Sequence, residues 1–559
     1  MYILNVIPLI KIPYPNPQLL SYFCTEKIKI GGLVKISVRK KKINAIVVDC
    51  RKLEQEKIRL KKLTDFTIKP IEKVFSKEPA LTEKQIKLLF WIADYYFAPL
   101  GLVAKIFLSA TESALKTHNS VLKTHDLILN PKIKNLVFAP FTNLKSITIE
   151  DESSDLYKSW GRKPYYNAKN IAIELAKIHK AKLTLKSDLP SIETSYWAEK
   201  GEYKLSIITH NSKLRAQNLV DMREEMKNGN FSIISHELQK KLKDSKKSIL
   251  FIARRGTSTL VLCRDCGYVS ICRNCDVPMV FHEDKPSRRL VCHHCGKDDI
   301  APVLCPKCKS IKIKYFGAGT QKAESEIKKM FPDKKVFRLD SDISERPLEQ
   351  EKIIREFIAA ENAVLVGSQM LLNKNLRANL VAIISIETIL NLPDFKNSER
   401  VFRIINQLRN MSDKDFIIQT YNPDNFTIKT ALENNFTKFY NEEIKNRKAF
   451  DYPPFSQIIK LGFTHKNPET SKNEARILLA KLKQQKKHLT INDEQLVILG
   501  PVPAFIPREK EGYHWNIIMK SKLSPIRRAG ANQNSKLRNE LLIIVPSRWE
   551  IEVDPETLL

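Results

Sequence analysis

Eight cysteines impose the tightest geometric conditions on this chain. They fall as Cys263-x2-Cys266, Cys272-x2-Cys275, Cys292-x2-Cys295 and Cys305-x2-Cys308, in a sequence with ten cysteines among 559 residues. Two thiolates separated by two residues can grip one metal ion from a single tight turn, and tetrahedral zinc takes two such knuckles. Four knuckles therefore make two four-cysteine sites with no sulfur left over. The expected cofactor is zinc, two ions per chain, with an iron–sulfur cluster as the lesser alternative. Such sites leave no open position for water, so the expected role is structural. His282, His293 and His294 lie inside the cluster as possible competing ligands, but eight sulfurs suffice. Spacing leaves open which knuckles share a metal. Cys24 and Cys50 stand far away and read as small buried side chains. Clustering of this kind fits a reducing compartment, where cysteines bind metal more often than they form disulfides.

The chain carries a formal net charge of +32. A large positive excess on a folded protein serves polyanions, because neutralising phosphates releases counterions. No apolar stretch approaches the roughly 20 residues that cross a bilayer. The apolar opening Met1–Pro15 is broken by Pro8, Pro13 and Pro15 and lacks the layout of a signal peptide. A cytoplasmic location is expected.

Periodicity divides the rest. Leu33–Asp49 alternates apolar and polar residues around a basic centre and predicts a β-hairpin presenting Arg39, Lys40, Lys41 and Lys42. Thr82–Tyr96 has apolar residues at helical spacing behind a Thr82 cap. The Lys/Asn/Thr-rich region from about Leu108 to Leu136 reads as linker, followed by a short strand at Ser146–Ile149 and a helix at Ala168–Lys180. From Ser248 to about Tyr421, the runs SILFI, NAVLVG, LVAIISI and DFIIQT alternate with helical segments such as Thr320–Met330. That alternation predicts a parallel α/β sheet, which the cysteine cluster interrupts like an inserted module. Beyond about Asn435, strand-like runs at Gln457–Thr464 and His514–Met519 and a helix at Ser471–Lys486 predict a separate α+β domain.

The words around the cysteines resemble those of the PriA family. The knuckles follow Leu250-Phe251-Ile252-Ala253-Arg254-Arg255-Gly256, as that family's zinc insertion follows an LFxxRRG strand in its second helicase lobe. Gly317-Ala318-Gly319-Thr320-Gln321, Arg338-Leu339-Asp340-Ser341-Asp342 and Val366-Gly367-Ser368-Gln369-Met370 come next, in the family's order. They are followed by Asn391-Leu392-Pro393-Asp394-Phe395, Ser398-Glu399-Arg400, Tyr452-Pro453-Pro454-Phe455, Leu499-Gly500-Pro501-Val502-Pro503-Ala504 and Val553-Asp554-Pro555. Trp91-Ile92-Ala93-Asp94-Tyr95-Tyr96 resembles a word of the family's amino-terminal domain. The resemblance implies that Cys263, Cys266, Cys305 and Cys308 share one zinc and the inner four the other. It also implies a replication restart role at stalled forks, with branched or forked DNA, other primosome proteins and single-stranded DNA-binding protein as partners.

Departures from the family concern ATP. A P-loop wraps phosphates in backbone N–H groups and reaches them with a Lys, yet none of the sixteen glycines begins a GxxxxGK[ST] word. The magnesium-binding DEEH word falls on Glu150-Asp151-Glu152-Ser153, the SAT word on Ser187-Asp188-Leu189, and the KGHDFP word is scrambled around Asn373–Asn379. The QVAGRAGR word, whose arginines would neutralise transition-state charge, is cut to Gln407-Leu408-Arg409-Asn410. In the amino-terminal pocket a Phe-Asp-Tyr word reads Leu20-Ser21-Tyr22, and a Pro-Phe-Gly turn reads Ser37-Val38-Arg39. Loss of that glycine is expected to remove a turn permissive for positive φ while adding a phosphate contact.

The expected fold is α/β multidomain. It comprises a β-rich DNA-binding domain (1–107), a linker (108–135), a shortened first helicase lobe (136–247), a second lobe (248–434) carrying the zinc insertion (263–308), and an α+β domain (435–559). The expected function is DNA binding at stalled forks without ATPase or helicase activity; the alternative is an active ATP-dependent helicase. Expected DNA contacts are Arg39, Lys40, Lys41, Lys42, Arg254 and Arg255, with Lys520, Lys522, Arg527 and Arg528 in the carboxy-terminal domain.

Overall fold

The computed structural model describes residues 1–53, 68–75, 78–117, 125–159, 163–202, 204, 216–253, 259–263, 265–274, 277–282, 289–293, 295–311, 313–315, 320–340, 347–372, 374–509, 511–522 and 532–558. They form two compact units. One gathers residues 1–191, 456–498 and 516–556, and the other residues 192–455, 499–515 and 557–559. No helix among the described residues is long and apolar enough to cross a membrane.

The first unit begins with a six-stranded sheet in the order Lys69–Pro70, Leu20–Cys24, Tyr2–Pro8, Lys41–Lys52, Leu33–Val38, Lys73–Val74. Its alternating strands bury Leu4, Val6, Val34, Ile36, Ala45 and Val47 on one face. Cys24 belongs to that core, whereas Cys50 is only half-buried against it. Helix Glu83–Tyr95 starts on the expected Thr82 cap. The Thr82 hydroxyl accepts from the Gln85 amide at 3.2 Å and the Gln85 side chain accepts from the Thr82 amide at 2.9 Å, a reciprocal box that satisfies two helix-end donors.

The stretch expected as linker is partly regular. Helix Leu100–Thr117 runs into it, and strand Asp126–Leu129 pairs in parallel with Ser146–Ile149, which pairs in parallel with Lys182–Leu185. Its polar composition hid this, because only Leu127 and Leu129 of the strand face the core. The expected helix at Ala168 is present and ends at His179, with Lys180 as a left-handed cap at φ 56. The strand expected at Gln457 runs Gln457–His465 and pairs antiparallel with Glu550–Val553 in this unit, and the strand expected at His514 falls within Gly512–Ser521. Two buried cations tie this unit together. Lys158 Nζ donates to the Val553 and Asp554 carbonyls at 3.1 and 2.9 Å, and the Arg538 guanidinium donates to Gln457 and to the Asp94 carbonyl at 2.7 Å each. A buried cation keeps its charge only when so satisfied.

The second unit is built on a six-stranded, all-parallel sheet in the order Ala216–Asp221, Ser412–Thr420, Ala378–Ser385, Lys247–Ile252, Ala363–Gly367, Lys335–Leu339. The four inner strands are the four apolar runs read from the sequence; with both faces covered they need continuous rather than alternating hydrophobicity. Ala216–Asp221 lay in the segment assigned to the first lobe, yet it pairs here with residues 415–420. Its Gln217 and Asn218 conceal an edge strand from a hydrophobicity reading.

Candidate metal centre and basic hairpin

Between strand Lys247–Ile252 and helix Thr320–Met330 lies a small antiparallel sheet, in the order Asp298–Ile300, Arg289–Val291, Val280–His282, Thr259–Cys263, Ile313–Tyr315. The cysteine turns hang from its strand ends. In each knuckle the amide of the first cysteine donates to the carbonyl five residues on: Cys263 to Tyr268, Cys272 to Val277, Cys292 to Lys297 and Cys305 to Ser310, at 2.8–2.9 Å. In three knuckles a second bond returns to the first cysteine's carbonyl, from Gly267, Gly296 and Lys309, and these three residues adopt φ of +73, +78 and +61. The reversal needed to aim two sulfurs at one point is thus fixed by backbone bonds and a left-handed residue after the second cysteine.

Sheet order then decides which knuckles meet. Thr259–Cys263 pairs with Ile313–Tyr315, which brings the first and last knuckles together. The sulfurs of Cys263, Cys266, Cys305 and Cys308 all lie within 4.8 Å of one another, with Cys263–Cys308 at 3.6 Å and Cys266–Cys305 at 3.5 Å. The Ser310 hydroxyl locks the two knuckles by donating to Asp265 at 2.5 Å. Cys272, Cys292 and Cys295 form the second group, with Cys272–Cys295 at 3.7 Å; Cys275 lies outside the described residues. Zn–S bonds of about 2.3 Å in a tetrahedron require sulfurs about 3.8 Å apart. The donors, all soft thiols at this spacing, fit zinc. Burial pushes the Cys263 and Cys266 thiols up; at Cys305, backbone N–H groups of Cys308 and Lys307 outweigh burial and hold the thiol below its usual range.

The histidines divide differently from the sulfurs. His293 is buried and turned away from the metal group: its Nδ1 donates to the Pro503 carbonyl at 2.9 Å, and its ring meets Phe505 edge-on. Gly296 also packs there, since an added Cβ would lie 3.0 Å from Val502. The inner knuckle is therefore a socket for residues 502–505, a role that metal-ligand spacing does not announce. The glycine following each of Cys266 and Cys295 was the available signal for close approach. The His282 side chain and His294 lie outside the described residues.

The basic hairpin forms as expected. Val38 pairs with Lys41, leaving Arg39 and Lys40 as a two-residue turn, and all of Arg39, Lys40, Lys41 and Lys42 are exposed. One expectation is corrected: loss of glycine does not remove the positive-φ turn. Arg39 and Lys40 adopt φ of 46 and 66 themselves, the hand that two-residue hairpins require. Such backbone costs a side-chain-bearing residue roughly 1–2 kcal/mol. Lys42 makes an exposed ion pair with Glu72 at 2.9 Å, a contact that another anion displaces at little cost. Lys520, expected on a DNA-facing surface, is instead buried, while Lys522 is exposed. Arg254, Arg255, Gly317–Gly319, Arg527 and Arg528 lie outside the described residues.

Two residues that the family resemblance sets against ATP-handling words make structural contacts instead. Glu152 is buried, and its carboxylate accepts from Lys169 at 3.0 Å and from the Ser191 amide and hydroxyl at 2.6 and 3.1 Å. Arg409 is also buried. Its guanidinium donates to the Ala431 carbonyl at 2.9 Å and to the Asn406 and Asn434 side chains, closing the end of helix Phe426–Leu432.

Comparison with known proteins agrees with this architecture. Residues 9–109 match the family model of the PriA 3'DNA-binding domain (3'BD), residues 272–298 that of the PriA DNA helicase Cys-rich region (CRR) domain, and residues 448–556 that of the Primosomal protein N C-terminal domain. The replication restart protein PriA of Bacillus subtilis is 33% identical over 481 residues, covering 82% of this chain and 58% of that protein. The protein of the same name from Borreliella burgdorferi is 34% identical over 407 residues, covering 70% of this chain and 59% of the relative. The chain thus spans a little under three fifths of the length of these relatives. A solved structure of S. cerevisiae Dbp5 bound to RNA and ADP BeF3 matches 58% of this chain and 74% of its own at 11% identity, with a TM-score of 0.28, and no weight rests on it. Three domain matches in order, one of them within the eight-cysteine module, and 33% identity over 82% of the chain place it in the PriA family.

Proposed function

We propose that this chain is a DNA-binding platform of the replication restart machinery, carrying two structural zinc ions and hydrolysing no ATP. The observation that carries the proposal is the turn Arg39-Lys40. Two adjacent cationic side chains occupy strained, exposed backbone inside a region matching a 3'DNA-binding domain. Strain retained at an exposed charged turn points to function rather than to packing. The +32 charge supplies the long-range attraction. Forked or branched DNA, other primosome proteins and single-stranded DNA-binding protein are the proposed partners, and each four-cysteine group is proposed to hold one zinc.

Inactivity toward ATP is supported by the side-chain commitments of Glu152 and Arg409 and by the missing P-loop word. Phosphoryl transfer in such motors needs a phosphate cradle, a magnesium carboxylate and a facing arginine together, and parts that act as a unit fail as a unit. The test is binding of purified protein to forked and linear DNA, with ATP turnover followed in the same samples. The expected result is salt-sensitive binding with no DNA-dependent hydrolysis. DNA-dependent turnover abolished by Asp151→Ala would instead establish an active helicase-type site.

A further inference from the structure

The first unit contains a second feature suited to nucleic acid, separate from the basic hairpin. A cleft of about 90 Å³ is walled by Tyr14, Phe97, Tyr165 and Trp549, with Lys11 and Lys163 also lining it. Tyr14 and Phe97 stack on each other, with centroids 4.4 Å apart and planes at 24°. Trp549 is 4% exposed and its indole N–H has no hydrogen-bond partner among the described residues. That N–H is sealed from water as well, so Trp549 gives the cleft its ring rather than a hydrogen bond. Lys11 and Lys163 are exposed, and the ion pair of Lys163 with Glu550, 2.8 Å long and half-exposed, yields readily to another anion. Leu20, Ser21, Tyr22 and Arg39 take no part in the cleft.

Aromatic walls and a cationic rim together select a planar group with an attached anion. We propose that this cleft takes one base of single-stranded DNA, stacked on the aromatic walls with its phosphate at Lys11 and Lys163. The proposal rests on the DNA-binding reading above and adds a specific base-holding site to it. A proline-rich peptide would also lie against aromatic rings, but it brings no charge for the two lysines. Stacking of this kind tolerates any base, because every base offers a π-face. The cleft should therefore favour unpaired strands without reading sequence.

The test uses the full chain and a short oligodeoxythymidine carrying one 5-iododeoxyuridine. Ultraviolet crosslinking followed by mass spectrometry should place the adduct on Tyr14, Tyr165 or Trp549. Tyr14→Ala should weaken binding of the unmodified oligonucleotide about five- to hundred-fold, and Lys11→Glu should weaken it too. Because Tyr14→Ala also removes packing against Phe97, Lys163→Glu is the sharper variant. Its side chain is exposed, so the free protein should melt as wild type does while binding falls about three- to ten-fold. Salt-sensitive DNA binding with crosslinks only elsewhere, and with Lys163→Glu binding as wild type, would overturn the cleft assignment and leave the DNA-binding reading standing. No binding to any DNA would overturn both. Equal competition by deoxythymidine monophosphate would assign the cleft to free nucleotides, and protection from crosslinking by a proline-rich peptide would assign it to a peptide; either result overturns the proposal.

Discussion

Cys266 and Cys295 are each followed by a glycine at positive φ, whereas the turn of the basic hairpin places Arg39 and Lys40 in the same half of backbone space. In the knuckles the glycine is needed twice over. A Cβ on Gly267 would sit 2.6 Å from the Tyr421 carbonyl oxygen, and one on Gly296 would sit 3.0 Å from a Val502 methyl. At the hairpin the turn is open to solvent, and the four basic side chains from Arg39 to Lys42 stand exposed. One region uses glycine because its neighbours leave no room; the other accepts strain to hold charge in solvent. Lys309, after Cys308, shows the intermediate case of a positive φ at 61 where the knuckle is exposed and a side chain has space.

The comparison breaks first if the knuckles do not depend on metal. Elemental analysis of protein purified under reducing conditions should give two zincs per chain, and a strong chelator should unfold the module. A structural zinc supplies on the order of 10 kcal/mol of folding free energy. Cys266→Ser should abolish one site and the order around it, while Cys24→Ser should cost about 1 kcal/mol. One zinc or none would remove the basis of the knuckle reading.

Gly267→Ala isolates the backbone term. Both the φ and the Tyr421 carbonyl oppose a side chain, so thermal unfolding should report a loss of about 2–3 kcal/mol. Gly296→Ala should cost less, because the Val502 methyl can shift where a carbonyl cannot. Equal stability for Gly267→Ala and wild type would show that glycine is incidental there.

At the hairpin, charge rather than backbone should matter. Reversing Lys40, Lys41 and Lys42 to Glu should weaken DNA binding about ten-fold or more. It should also flatten the dependence of log affinity on log salt by about 0.9 for each phosphate no longer neutralised. An unchanged slope would exclude this patch. The smallest effect sharpens the contrast best. Arg39→Gly relieves a strained φ and should stabilise the protein by about 1 kcal/mol, while costing a few-fold in DNA affinity. A substitution to glycine that destabilised the turn would show that the arginine side chain packs rather than waits for phosphate.

Local patterns made much of this legible in advance. The four knuckles, the hairpin with its basic turn, the Thr82 cap and the four inner strands of the parallel sheet are short-range or fully buried features. Each writes its constraint into adjacent residues. Edge elements wrote less. Ala216–Asp221 carries Gln217 and Asn218, and Asp126–Leu129 sits in a polar stretch, so neither has the continuous apolar run of a central strand. Lys520 read as surface charge because its type is usually exposed, but it lies on strand Gly512–Ser521, whose last six residues are all buried.

Sequence alone determined that sulfurs would be presented in pairs, because a two-residue spacing fixes the reach of one turn regardless of what surrounds it. Which pairs would meet was decided by the order of five short strands, where Thr259–Cys263 takes Ile313–Tyr315 as its neighbour and so brings together cysteines about forty residues apart. The fates of Glu152 and Arg409 are likewise tertiary. A carboxylate or guanidinium has the same composition whether it faces a nucleotide or answers a buried amine and a helix end. Only the packing of Lys169, Ser191 and Ala431 around them commits those groups to structure, because a buried charge takes whatever partners the fold brings within reach.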